Sequence, residues 1–251
     1  MSAKQNVVHL LQPENFYSYV QGFGVNKDPD NVFIWENGIL HTSGEHYGYL
    51  ATKQTNLANY KLVAEYRWGD KTWAPREKNA RDSGVLVHCS GRDGNYLSKD
   101  FNGPWMRSYE FQIIEGGVGD LLVLGGYEPD GSLQKYFATA TVVKDRDGEP
   151  CWDAKGTAKV YDTGRVNWWG RDPDWADKLG YRGRQDVESP GGEWTHMEVV
   201  CAGDTLDYFV NGKRVNQATQ LSNKSGQLIF QSEGAEIYFR RIELHPLPAA
   251  K

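Results

Sequence analysis

Residues two apart on an extended segment share a face, because successive side chains of a strand alternate. In Tyr109-Glu110-Phe111-Gln112-Ile113-Ile114 this puts Tyr109, Phe111 and Ile113 on one face and Glu110 with Gln112 on the other. A carboxylate beside an amide matches the donors and acceptors of sugar hydroxyls; a solvated outer face is the alternative reading. The flanks favour a site. Trp105 and Arg107 precede the strand, and Glu115-Gly116-Gly117-Val118-Gly119-Asp120 follows it. Its glycines let a backbone approach a ligand, with Glu115 and Asp120 adding carboxylates at the ends. The run lacks the Gly-Lys-Ser/Thr ending of a phosphate loop.

Arg81-Asp82-Ser83-Gly84-Val85-Leu86-Val87-His88 forms a second constellation. Alternation separates Ser83, Val85 and Val87 from Gly84, Leu86 and His88, so His88 is expected on the Leu86 face. There it serves either as an acid–base group or as a hydrogen-bonded structural histidine. Arg81 beside Asp82 also reads as a local ion pair. A Ser83/His88/Asp120 triad lacks the Gly-x-Ser-x-Gly elbow that would support it. Near the C-terminus Ile229, Gln231 and Glu233 share a face, again an amide beside a carboxylate; a polar strand end is the other reading.

These residues need strands to position them, and the composition supplies strands. The 251 residues include 28 Gly, 14 Tyr and 9 Trp, a bias toward strands and turns. Alternating runs recur at Val32–Trp35, Ile39–His41, Tyr49–Thr52, Tyr60–Trp68, Gly84–Cys89, Tyr109–Ile114 and Asp120–Leu124. They resume at His196–Cys201, Thr205–Val210, Lys213–Val215, Gly226–Ser232 and Glu236–Leu244. Asn37-Gly38 and Asn211-Gly212 mark hairpin turns. Pro13–Tyr19 is expected to form one short helical turn. Strands without crossover helices point to an all-β antiparallel sandwich. One domain over 1–251 is expected, with its core at about 30–247. A loop region at about 144–193 interrupts it and carries Trp152, Trp168, Trp169 and Trp175. These indoles are expected to shape a sugar cleft rather than fill a core.

Twenty-eight Lys+Arg against 33 Asp+Glu leave a net charge of −5, no footprint for a phosphate backbone, so nucleic acid is not an expected partner. No 18-residue apolar run exists, so no membrane-spanning helix is expected. Cys89, Cys151 and Cys201 have no zinc-ligand spacing and read as free structural thiols. Met1–Gln5 carries no apolar signal region.

Arg81–Val85, Ser108–Gly117, Gly119-Asp120, Glu193–Val199, Asp204–Gly212 and Gly226–Arg240 together resemble the 3-keto-disaccharide hydrolase domain family. The resemblance runs from about residue 30 to 247. It implies a concanavalin-like jelly roll of two curved antiparallel sheets, and cleavage of glycosides whose sugar is oxidised at C3. It also implies export to the periplasm, with a cytoplasmic location left open by the N-terminus.

A ketone at C3 acidifies the hydrogen at C2, so cleavage needs a base near C2, a charge stabiliser near O3 and an acid at the glycosidic oxygen. Glu110 is the expected base, Gln112 a substrate ligand, and Arg81 or His88 the stabiliser. Glu115, Asp120 or Glu233 supplies the acid or holds a hydroxyl, with Trp105, Arg107 and Trp169 as further sugar contacts. No cofactor is expected, although Glu110, Glu115 and Asp120 offer hard oxygen ligands for a divalent ion. Two alternatives stand beside this reading. A laminarinase-type glycoside hydrolase is weakened by Gln112 standing where a second carboxylate belongs. A non-catalytic carbohydrate-binding module suits the tryptophans but has no need of clustered carboxylates.

Overall fold

The computed structural model describes residues 6–248. Two eight-stranded antiparallel sheets face each other. The first runs Lys213–Ala218, Thr205–Val210, Thr195–Ala202, Tyr60–Thr72, Ala235–Pro246, Ile39–Thr42 and Phe33–Glu36, with Val8–His9 added alongside Ala235–Pro246. The second runs Gly164–Val166, Leu121–Leu124, Arg107–Ile114, Asp82–Ser90, Gln227–Ser232, Gly48–Thr52, Phe16–Val20 and Gly24–Val25. No α-helix occurs among the described residues, and no helix is long and apolar enough to cross a membrane. This is the all-β antiparallel sandwich that the alternation implied, and the jelly roll that the resemblance implied.

Each sheet turns one face inward for the reason visible in Thr195–Ala202, where Thr195, Met197, Val199 and Cys201 are buried and their neighbours half-exposed. From the second sheet Val85, Val87, Tyr109, Phe111, Ile113, Leu228 and Phe230 meet Leu62, Ala64, Tyr66, Met197 and Phe239 of the first. Asp82–Ser90 and Arg107–Ile114 are buried on both faces, however. Segment 91–106 folds over the outer face of this second sheet: Tyr49 Oη donates to Asp93 Oδ1 at 2.8 Å and Tyr19 Oη to the Gly103 carbonyl at 3.1 Å.

Three local expectations change. Only Pro13–Asn15 forms a helical turn, of 3₁₀ type, and Phe16–Val20 is a strand of the second sheet, so the fold begins before residue 30. The supposed loop region contains the strands Pro150–Trp152, Thr157–Tyr161 and Gly164–Val166, short enough for their alternation to be overlooked. Trp152 and Trp168 are core residues, 6% and 1% exposed, because these strands and the chain after them close one end of the sandwich. The three cysteines are buried and unpaired.

Candidate active site

The outer face of the second sheet gathers carboxyl groups from three adjacent strands. Strand Arg107–Ile114 presents Glu110 and Gln112, Asp82–Ser90 presents Asp82, and Glu233 follows Gln227–Ser232. Register explains the convergence: Gly84 lies opposite Gln112, and Glu110 lies between Leu86 and Leu122 on its two neighbours. Beyond Leu122 the edge strand places Arg165. At the centre is Gly84, where a methyl group would overlap Oε1 of both Gln231 and Glu110. Glycine there is what lets a carboxyl and a carboxamide from flanking strands meet.

Glu110 is 3% exposed and Asp82 6%. Burial pushes the Glu110 carboxyl up to about 8; the Asp82 charge adds to this, while Arg165 and a hydrogen bond from Gln231 oppose it. Asp82 is pushed up to about 7, again mainly by burial, with Arg76 and Arg165 pulling down and Asp177 pushing up. Glu233 is held well above the usual carboxylate range by burial and by the Asp82 and Glu110 charges. The three titrate as one group, so near neutrality the cluster holds protons and also offers strongly basic carboxylates. Gln112 Nε2 donates to Asp82 Oδ1, and Arg76 Nη2 stands 3.3 Å from Asp82 Oδ2. Gln231 is fully buried, and its carboxamide has no well-aligned protein partner among the described residues.

Aromatic rings wall this polar floor. Tyr47 stacks on Trp105 with centroids 6.0 Å apart, and half-buried Tyr96 feels the Glu110 and Glu233 charges. Tyr17 and Tyr49 both donate to Asp93 Oδ1, at 2.9 and 2.8 Å. A floor of carboxyls and amides between aromatic walls is suited to a hydroxylated ring.

Of the residues expected at a site, Glu110, Gln112, Glu233 and Trp105 come together here. The others lie elsewhere. His88 is not on the Leu86 face: register breaks between Val87 and Ser90, its backbone takes φ 55°, and the ring turns inward between Tyr60 and Tyr109. One ring nitrogen, Nδ1, lies 3.2 Å from the Asn223 carbonyl, and burial pushes the imidazole down to about 4. Arg81 pairs with Glu115 at 2.7 Å, not with Asp82, and Glu115 also accepts from the Arg81 and Gly180 amides. Asp120 is fully buried beneath Arg171 at 2.6 Å and the Trp168 amide at 2.8 Å, and reaches the site only through Arg165, 3.3 Å away.

Arg107 turns to Glu128, 2.7 Å away, and lies over Tyr136. Trp169 is 40% exposed and bonds the Arg214 carbonyl at the far edge of the first sheet. The glycine turn is packed by the protein itself: Trp175 and Tyr181 lie on Gly116, and Arg171 on Gly117. Glu110, Glu115 and Asp120 therefore do not converge as metal ligands. Among the described residues the one group of three such side chains with ligand atoms all within 4.8 Å of one another is Asp145, Asp147 and Glu149, on a turn.

Gln231, expected on the face of Glu233, joins the site, and so does Asp82, expected as a local partner of Arg81; Arg76, Arg165, Tyr47 and Tyr96 carried no such expectation. Strand phase alone would have found Asp82, which is in step with Gly84 and Leu86.

A family model described as the 3-keto-alpha-glucoside-1,2-lyase-like domain matches residues 17–245. The chain belongs to this family. No curated protein sequence matches the chain. Two proteins of Parabacteroides distasonis ATCC 8503, both described as candidate glycosyl hydrolases, share its fold. One aligns at TM-score 0.51 and 18% identity over 97% of this chain and 100% of its own. The other aligns at TM-score 0.51 and 14% identity over 94% and 89%. A β-glucanase of Bacillus licheniformis aligns at TM-score 0.45 and 9% identity over 99% of this chain and 100% of its own.

Proposed function

We propose that this protein cleaves 3-keto-glucosides by elimination across C1 and C2, followed by hydration of the enone. The observation that carries the reading is the cluster of buried Asp82 and Glu110 with half-buried Glu233, three carboxyls with raised proton affinity beside two guanidinium groups. A carbon acid next to a ketone needs a strong base, and a carboxylate whose proton affinity approaches neutrality is stronger than an ordinary one. The family description, a 1,2-lyase acting on 3-keto-glucosides, supports the same chemistry.

Glu110, when ionised, takes the hydrogen from C2, and its electrons move toward O3, where Arg165 or Arg76 offsets the growing charge. The enolate reforms the C3 ketone, a C1–C2 double bond appears and the C1–O bond breaks. Glu233, held well above the usual carboxylate range by burial and by the Asp82 and Glu110 charges, gives its proton to the departing oxygen. Water then adds at C1 while C2 regains a proton. Gln112 and Gln231 hold hydroxyls of the ring, and Tyr47 and Trp105 wall it.

The test compares aglycone release from a simple glucoside and from its 3-keto derivative. Release from the keto form alone supports the proposal. Equal release from both would favour ordinary glycoside hydrolysis, and binding without release a carbohydrate-binding module.

A further inference from the structure

One nitrogen of Arg76 serves three acceptors. Its Nη2 lies 2.8 Å from the Ala80 carbonyl, 3.1 Å from Asp177 Oδ1 and 3.3 Å from Asp82 Oδ2, and it carries only two hydrogens. Asp82 faces the site. Asp177 belongs to an exposed segment, 176–180, that arrives from the far side of the long connection.

That segment is pinned beside the carboxyl cluster. Asp177 Oδ1 accepts from the Ala80 amide at 3.0 Å and Oδ2 from Asn79 Nδ2 at 2.7 Å. The Leu179 amide donates to the Lys78 carbonyl at 2.9 Å, and the Gly180 amide to Glu115 Oε2 at 2.7 Å.

We propose that Asp177 is a positioning residue for the site: by competing for Arg76 it sets how much of that guanidinium's charge reaches Asp82. For its catalytic consequence this rests on the 3-keto-glucoside reading; the competition itself does not. The charged groups around Asp82 come from five elements: Arg76 after Tyr60–Thr72, Glu110, Glu233, Arg165 and Asp177. Arg165 is additionally shared with Asp120, so Arg76 is the counter-charge that a surface loop can modulate. Asp177 contributes oppositely from Arg76, raising the Asp82 carboxyl where Arg76 lowers it.

Asp177→Asn keeps an oxygen for Arg76 and the Ala80 amide while removing the charge. Carboxyl carbons labelled with ¹³C are titrated by NMR in the intact wild-type protein, in D177N and in R76Q. Asp82 in D177N is expected to titrate about half to one unit lower, the scale of a neighbouring charge partly exposed to water. In R76Q it is expected to titrate higher. The acidic limb of the pH–rate profile on a 3-keto-glucoside, which reports Glu110, is expected to move in the opposite sense in each variant, because a more ionised Asp82 raises Glu110. An Asp82 titration unmoved or raised in D177N overturns the proposal. If the wild type releases no aglycone, the function assigned above falls, while the titration still decides the role of Asp177.

Discussion

Glu110 owes its basicity to burial, and the same burial opposes folding as pH rises. Its native proton affinity lies near 8, against an unfolded carboxyl near 4.5. Between those values the native state holds a proton that the unfolded chain has released, so stability falls with rising pH across that window. Glu110→Gln removes the base and this penalty together. Elimination is expected to drop by about a hundredfold or more, the scale of a lost general base. Denaturant unfolding at pH 8 should show the variant more stable by about 1–3 kcal/mol.

His88 works in the opposite sense. Its native value near 4 lies below the unfolded 6.5, so its contribution is complete above pH 6.5 and lost as pH falls toward 4. His88→Asn suits the positive φ and should flatten the acid limb of stability by about 2–3 kcal/mol. Unfolding midpoints from pH 7 to pH 4 measure this. Little change in aglycone release is expected, since the ring lies on the core side.

Strands decide which of these side chains can meet. Gly84→Ala leaves strand Asp82–Ser90 its backbone but drives a methyl into Gln231 and Glu110, whose ends must move. Far-ultraviolet circular dichroism should remain that of the wild type while turnover falls more than tenfold, the scale of about 1.4 kcal/mol of lost positioning. Asp120→Asn belongs to the edge of the same sheet. It leaves Arg171, whose side chain is 4% exposed, without its anion. The loss expected is about 3–5 kcal/mol, read as a fall in Tm.

The strands also mark what the sequence made legible. Glu110 and Gln112 share a face as alternation requires, because Arg107–Ile114 pairs with both neighbours without interruption in that stretch. His88 departs from the same rule because a bulge two residues wide is invisible in an apolar run. Glu115 and Asp120 had the right chemistry and the wrong surroundings: each is neutralised by an arginine, and for Asp120 both partners lie more than 40 residues away.

Across the whole molecule, turn glycines and alternation carried the sandwich. Its active face depends on contacts between distant segments, which composition and spacing do not record. Arg76 and Asp177 come from two separate connections and Arg165 from an edge strand. The tryptophans illustrate the same gap: Trp152 and Trp168 close the sandwich, whereas Trp105, outside the Trp-rich segment, walls the site with Tyr47. Family membership and the carboxyl cluster together point to removal of the C2 hydrogen as the first step. Cleavage of a 3-keto-glucoside in D₂O, quenched early and read by NMR and mass spectrometry, tests it most directly. Elimination and hydration place deuterium at C2 of the released sugar, beyond what a protein-free control acquires. A product that keeps its original hydrogen at C2 would contradict the account.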